Sequence, residues 1–560
     1  MNDKLFHLGL CMAGSISAGA YTAGVMDYLT EALQKWEQER GKEDIPDHRT
    51  VIDLLGGSSG GGITSAISLF AMQDKINHYR LENNRPVSEG RNIFWDTWVE
   101  LSEQDIFEQM LAPGDISEGY VPSLMNTRFI DVVADKFKKY IHELALHNQG
   151  IPPYLCEQAE LFLTLFNITG IKYQLHTKAS ASGAQCAFEH RDIAHFRWGD
   201  QPGADGRMEL SYNQQENLES LLMAAPATGA YPIGLKARLL KRKAHYLWEH
   251  PFINKGSFKK EHIQLNEKDG YYLSMNADGG MINNEPVELM RDILLSMRKR
   301  YYKDLDKDSA PEGLTNSAVI LIDPFPSLDM KLREPSELRV HIKHFAPELF
   351  SAMRSQLLFD AKKALDAYNK ENYGLYLVAP SKDDTRPEYA IACGSLGGFG
   401  GFLNKDFRIH DFFLGRKNCQ SFLRKYFVVN MDETGEDRKC VEAVIKGYSN
   451  EKALQRFQRT DEKGRWVPII PEISVQGPSD IANDVNQEPY FHFDPLPEDY
   501  LLKYQSQVGK RYQNISGNLF KTGFPWNVLV NLTTLFTRKK ISSQLLKYIA
   551  TDFRRRKLMK

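Results

Sequence analysis

The 560-residue chain is short of the features that mark several protein classes at a glance. Its six cysteines (Cys11, Cys156, Cys186, Cys393, Cys419, Cys440) are scattered, with no CxxC pair and no cysteine/histidine cluster at metal-ligand spacing. This argues against a zinc finger or a disulfide scaffold, and a reduced, intracellular protein without a metal is expected. No run of 18 uncharged apolar residues occurs, so nothing is expected to span a membrane. The first apolar run, Leu5 to Met12, is too short for the core of a signal peptide and leads into a glycine loop. Neither sign of charge dominates: 70 Lys and Arg face 72 Asp and Glu, a net charge of -2. A global nucleic-acid footprint is therefore not expected, and any basic surface must be local. There is no internal repeat and no low-complexity linker, while an apolar fraction of 42% is ample for a packed core.

What is present has a regular beginning. Leu5 to Met12 reads as a buried strand followed by the turn residues Gly14, Ser15 and Ser17. After Gly19, the residues Tyr21, Val25, Tyr28, Leu29, Ala32, Leu33 and Trp36 share one helical face. Val51 to Leu55 predicts a second strand, which runs into Gly56-Gly57-Ser58-Ser59-Gly60-Gly61-Gly62 and an apolar helix from Ile63 to about Met72. Two consecutive strand-turn-helix units predict a parallel α/β sheet, because parallel strands need a crossover between them. Strands are expected at Leu161 to Ile168 and Ala318 to Ile322. Helices are expected at Arg128 to Leu146, Pro286 to Tyr302 and near Pro347 to Asn372. The pattern changes near residue 330, which divides the chain into an α/β domain (1–330) and a helical or mixed extension (331–560).

Gly57-Ser58-Ser59-Gly60-Gly61 matches G-x-S-x-G between a strand and a helix, a turn that exposes a hydroxyl beside the positive end of a helix. An overlapping match, Gly56 to Gly60, nominates Ser58 instead, and the pattern alone does not choose between them. A glycine turn that merely packs a helix on a sheet has the same composition. A serine nucleophile also needs an oxyanion hole and a base. Gly14-Ser15-Ile16-Ser17-Ala18-Gly19 offers backbone donors for the first. It lacks the Lys and Ser/Thr of a phosphate-binding P-loop, since Ala20-Tyr21 follows. No histidine is tied to the elbow by a motif, and His190 and His195 lie in a charged region typical of solvated surface. Asp278, in Ala277-Asp278-Gly279-Gly280, is a second type of base, although an Asp on a Gly-Gly turn is commonly only a turn former.

Taken in order, these segments resemble the patatin-like phospholipases, lipid acyl hydrolases with a Ser/Asp dyad. Gly19-Ala20-Tyr21 and Gly24-Val25 match the family's helix start, and Gly57-x-Ser59-x-Gly61 followed by Gly62-Ile63 matches its elbow. Ala224 to Pro232 matches its alanine-rich segment, and Asp278-Gly279-Gly280 with Asn283, Asn284 and Pro286 matches its aspartate motif. The resemblance selects Ser59 over Ser58 and implies a three-layer α/β/α fold with a mainly parallel sheet. It implies Ser59 as nucleophile, Asp278 as base, and an oxyanion hole from Gly14, Ser15, Ile16 and Gly60, with Gly57 and Gly61 shaping the elbow. It requires no metal or cofactor, and its substrate class is phospholipid or another acyl-ester lipid. One departure is clear: the family's loop is G-G-G-x-x-G, whereas Ser15 and Ile16 stand here, and a β-branched residue tolerates positive φ badly. A patatin-like scaffold that binds a lipid or protein without turnover, or an esterase for neutral glycerides, would share most of these motifs.

Beyond residue 330 the resemblance is limited to Gly397-Gly398-Phe399-Gly400-Gly401-Phe402 and the following His410-Asp411. Residues 537–560 hold nine basic residues against Asp552 alone, with Ile541, Leu545, Leu546, Ile549 and Phe553 on one helical face. Such a segment fits a basic helix lying on an anionic bilayer, making the protein cytoplasmic and peripheral at the membrane. It equally fits a docked C-terminal helix with a charged end. Lys236, Arg238, Lys241, Arg242 and Lys243 read as a solvated helix face or a contact for lipid head groups.

Overall fold

A strand that is apolar on both faces has no solvent side and must lie inside a sheet covered twice. The computed structural model describes residues 4–147, 150–175, 185–200, 206–248, 263–302, 315–326, 352, 374–383, 385, 387–519 and 526–560. Leu5–Met12 (β1) and Arg49–Gly57 (β2) run parallel, with Leu8 opposite Ile52 and Met12 opposite Gly57. Leu155–Leu175 (β3) is parallel to β2. Gln185–Trp198 (β4) pairs antiparallel with β3, and Arg238–Lys243 (β5) pairs antiparallel with Tyr271–Asp278 (β6). Ser317–Ile322 (β7) and Leu375–Val378 (β8) continue the parallel set beyond β1. The sheet therefore runs β6-β3-β2-β1-β7-β8.

The alternation along each strand sorts side chains to two separate cores. Leu8, Leu10 and Met12 of β1 and Ile320 and Ile322 of β7 join a cluster with Val25 and Leu29 of Gly19–Glu39 (α1) and Ile67 and Phe70 of Ser59–Ala71 (α2). Cys11, Ala13, Val319 and Leu321 point the other way, against Met290, Ile293, Leu294 and Met297, which later form one face of a helix over Val287–Met297. Arg128–Leu146 (α3) and Gln215–Thr228 (α4) pack on the first side, and Val287–Met297 (α5) covers the second. The result is the expected three-layer α/β/α arrangement around a mainly parallel sheet.

Several elements differ from the sequence expectation. The helix expected from Ile63 begins at Ser59, because Gly60, Gly61 and Gly62 carry no side chain at its crowded start. Strand β3 is 21 residues long, far beyond Leu161 to Ile168. The helix expected near Pro347 to Asn372 lies outside the described residues. The cluster from Lys236 to Lys243 is not a helix face: Arg238–Lys243 is strand β5. In it Arg242 is buried against Asp192 at 2.5 Å, Arg238 meets Asp131 at 2.5 Å and Lys243 meets Glu216 at 2.9 Å. Alternation within the strand turns Arg242 inward, which periodicity read as helical could not foresee.

The division expected near residue 330 falls between β7 and β8, two strands of one sheet, and the buried core crosses it. Lys405–Lys425 (α6) lies directly on α1. The two helices touch at glycines: a Cβ on Gly24 would fall 1.9 Å from the Phe412 carbonyl oxygen, and one on Gly415 would fall 2.2 Å from that of Tyr21. At the same contact Arg416 is completely buried. It donates to Asp27, to Glu31 at 2.8 Å and to Glu488 at 3.1 Å. Gln505–Leu519 (α7) and Trp526–Arg555 (α8) form a final hairpin. Leu546, Ile549 and Phe553 are buried in the core, whereas Leu545 is exposed, so the apolar face expected for a bilayer is largely consumed by docking. The chain end is pinned as well, with Leu558 accepting from Leu496 N–H at 2.9 Å and Leu496 from Lys560 N–H at 2.9 Å.

Candidate active site

The carboxyl ends of parallel strands are where α/β folds leave an open crevice. β2 ends there at Gly57, and Ser58 is still extended (φ -120°, ψ 147°) before Ser59 turns to φ +53° and α2 begins. A non-glycine residue in the left-handed region carries strain of about 1–3 kcal/mol and persists only where its surroundings enforce it. Here they do. A Cβ on Gly57 would sit 2.3 Å from the Met12 carbonyl oxygen, and one on Gly61 would sit 2.2 Å from the same atom, so both positions must be glycine for the turn to close. Thr228 at the end of α4 accepts the Ser59 N–H at 2.9 Å.

The two serines separate clearly. Ser58 Oγ is fully buried, pairs with Thr164 Oγ1 at 2.6 Å and donates to the Asn283 carbonyl. Ser59 Oγ donates to Asp278 Oδ2 at 2.7 Å. Asp278 is the last residue of β6, and its other oxygen accepts the Gly280 N–H at 2.7 Å. Its own N–H is fixed on the Ala230 carbonyl at 2.9 Å, at the end of the alanine-rich segment. The carboxylate is therefore held at two points and its backbone at a third, and both Ser59 and Asp278 are only 4% exposed.

The loop after β1 closes over this pair. Gly14 N–H is bonded to the Asn284 carbonyl at 3.3 Å. A Cβ on Gly14 would lie 2.3 Å from Asn284 Oδ1 and 3.2 Å from Ser59 Cβ, so the loop passes directly beside the nucleophile candidate. Ile16 does take positive φ, +49°, the torsion that its branched side chain disfavours. The extension supplies the restraint. Ser17 Oγ donates to the Gly398 carbonyl at 2.5 Å and accepts the Gly401 N–H at 3.0 Å, and a Cβ on Gly398 would stand 3.2 Å from Ile16 Cβ. Ser15 Oγ is buried with no hydrogen-bond partner among the described residues, next to Gly60.

Of the two histidines noted in the sequence, His190 is exposed, as expected of solvated surface, whereas His195 is largely buried. His195 pairs with Glu160 at 2.8 Å, and His190 Nδ1 lies 2.8 Å from the Asn167 carbonyl. Burial would raise the Glu160 carboxyl, but His195 and Arg207 outweigh it and hold the group down at about 2. Their positions on β3 and β4 turn these side chains toward one another, a pairing invisible in sequence.

One titrating group escaped the motif reading. Asp323 follows β7 at the same edge of the sheet, is 3% exposed, and accepts the Phe325 N–H at 2.8 Å. Burial, reinforced by Glu285, raises its carboxyl to about 7. An unfolded Asp ionises near 4, so between about pH 4 and 7 the folded chain keeps a proton that the unfolded chain has lost, and stability falls as pH rises through that window. Asp323→Asn removes this loss. The thermal midpoint of the variant should exceed the wild-type value by more at pH 8 than at pH 5, the gap in stability widening by about 3 kcal/mol between the two. Parallel melting curves at the two pH values would refute the assignment.

Residues 10–291, just over half of the chain, match the family described as patatin-like phospholipase. Uncharacterized protein y4iI of Sinorhizobium fredii (strain NBRC 101917 / NGR234) is 28% identical over 477 residues. That match covers 76% of this chain and 65% of the relative, so the chain spans just under two thirds of the relative's length.

Proposed function

Because this chain belongs to the patatin-like phospholipase family, we propose that Ser59 and Asp278 are its catalytic dyad and that it hydrolyses carboxylic esters of membrane phospholipids, acting in the cytoplasm at a lipid surface. The observation that carries the reading is the 2.7 Å contact from Ser59 Oγ to Asp278 Oδ2 on a buried, positive-φ elbow. Ser59 Oγ attacks the ester carbonyl carbon while its proton passes to Asp278. The tetrahedral intermediate collapses, the alcohol leaves with that proton, and an acyl-enzyme remains. Water then attacks the acyl carbon, its proton taken by Asp278, and the fatty acid leaves as Ser59 is restored.

Asp is an intrinsically weak base, and a site almost closed to water strengthens both its hydrogen bond and the surrounding dipoles. The oxyanion is met by the N–H of Gly60 in the first turn of α2, where backbone donors lack intrahelical partners. The N–H groups of Ser15 and Ile16 supply the other side, the Gly14 N–H being taken by the Asn284 carbonyl, and the Ser15 hydroxyl, unpaired among the described residues, assists them. Each well-aimed donor is worth roughly 3–4 kcal/mol.

The test is mass spectrometry of lipids released from mixed phospholipid and triacylglycerol vesicles by wild type and by Ser59→Ala, with p-nitrophenyl butyrate as a generic ester. Ser59-dependent release of fatty acid and lysophospholipid is expected. Release from triacylglycerol alone would move the substrate class to neutral glycerides, and no Ser59-dependent turnover of any ester would make the chain a binding module.

A further inference from the structure

Away from the dyad, a cleft of about 490 Å³ opens where Lys382, Thr385, residues 389–392, α6, residues 491–493 and the end of α8 meet. Its lining includes Lys382, His410, His492, Arg555, Arg556 and Lys557, and no carboxylate among the described residues lines it. Asp552 offsets the charge of Arg555 and Arg556, but Lys382 and Lys557, brought together from separate chain segments, form no ion pair among the described residues, and such convergence is unfavourable without a counter-charge. The dipole at the C-terminus of α8 rationalises Arg555. It does not account for Lys382, which precedes α6, or for Lys557, which lies beyond the helix in a positive-φ turn.

Nearby carboxylates are already engaged. Asp552 pairs with Arg555 and lies 3.5 Å from Arg556 Nε, while its Oδ2 also accepts the Leu396 N–H at 2.8 Å. Asp411 takes the N–H groups of Ala392 and Cys393 at 2.8 and 2.9 Å and faces His410 Nδ1 at 2.8 Å. A proton on Nδ1 satisfies that contact and leaves Nε2 as acceptor for Lys382 Nζ at 3.0 Å. His410 is 4% exposed, so the cleft has a rigid polar floor. Burial lowers the Lys382 ammonium below the ordinary lysine range, with Asp411 opposing it.

We propose that this cleft binds a phosphate-bearing ligand at a site separate from the dyad. A phosphate group brings up to two negative charges and three acceptor oxygens, which suits guanidinium forks and ammonium donors placed together and answers both lysines, whereas a carboxylate would offset only one of them. Tyr389, Phe491 and Phe493 provide an apolar wall for the organic part of the ligand. The site is joined to the loop beside the nucleophile: Asp552 holds Leu396, and two residues later the Gly398 carbonyl holds Ser17.

The test uses the full chain carrying Ser59→Ala, so that binding is read without hydrolysis and does not depend on the dyad assignment. Calorimetric titration with glycerol 3-phosphate and with inorganic pyrophosphate is run beside co-sedimentation with phosphatidic acid and phosphatidylcholine vesicles. Saturable binding is expected, weakened at least tenfold by Lys382→Met with Lys557→Gln and unchanged by Lys539→Gln with Lys540→Gln, which remove the same charge outside the cleft. Lys557→Gln alone, at an exposed position, gives a smaller weakening and guards against a folding defect in the double variant. Vesicle binding displaced by glycerol 3-phosphate would identify a lipid head group, and soluble binding without vesicle recruitment would identify a soluble phosphate. Equal affinity in all variants, or no saturable binding to any of these probes, would overturn the proposal.

Discussion

Asp278→Asn should lower ester turnover by roughly 10²–10⁴-fold, the range by which a positioned base accelerates proton transfer. The substitution is close to isosteric. The Asn side-chain oxygen can still accept the Gly280 N–H, which Asp278 Oδ1 takes at 2.7 Å, so the turn after β6 is preserved. What faces Ser59 Oγ becomes an amide with no capacity to take a proton. Substrate affinity should change little, because the carboxylate contacts Ser59 and the backbone of its own turn, and the loss should therefore appear in kcat. Groups that act as one unit are strongly non-additive, so Ser59→Ala combined with Asp278→Asn should be no worse than Ser59→Ala alone. Steady-state kinetics on a soluble ester decides the matter. Wild-type kcat in Asp278→Asn, or a double variant in which the two losses multiply, would remove Asp278 from the reaction.

Arg416→Met should destabilise the chain by about 3–5 kcal/mol, the usual consequence of removing one partner from a buried ionic cluster. Arg416 is fully buried, with three carboxylates around it: Asp27 and Glu31 on α1 and Glu488 beyond α6. Burial would raise the Asp27 and Glu31 carboxyls, but His78 and Arg416 acting on Asp27, and Arg416 with His78 and Arg80 acting on Glu31, outweigh it and hold both below the ordinary range. A carboxyl lowered in the folded state adds stability above its unfolded pKa, near 4, and that share is lost as pH falls below it. In Arg416→Met the stranded carboxylates instead favour protonation, so the deficit should be largest near pH 7 and shrink toward pH 4. Arg416→Lys should rescue poorly, because one ammonium cannot present the three directions that Nε, Nη1 and Nη2 use. Thermal unfolding across pH 4 to 8 measures this, and a pH-independent deficit would contradict it.

Both predictions concern residues of different legibility. Ser59 and Asp278 stand in short motifs whose glycines are required by local geometry. Arg416 sits in a helix where nothing in the sequence sets it apart from Arg408 or Arg424. The nearly balanced charge count likewise concealed where the charges go. Arg242, Arg416 and Asp27 are buried in pairs, while several cations collect around the cleft that holds Lys382 and Arg556.

The sequence by itself determined the first two strand-loop-helix units, the elbow at Gly57 to Gly61 and the order of the two residues proposed as the dyad. These depend on contacts within a few residues: apolar alternation, the steric need for glycine, and turn chemistry. Tertiary structure alone decided that Ser58 is occupied by Thr164 and that Ile16 is braced by Gly398. It also decided that the chain beyond residue 330 completes the same sheet and docks its basic end. Those outcomes join residues from about 55 to nearly 400 positions apart, and no local pattern encodes a partner so distant.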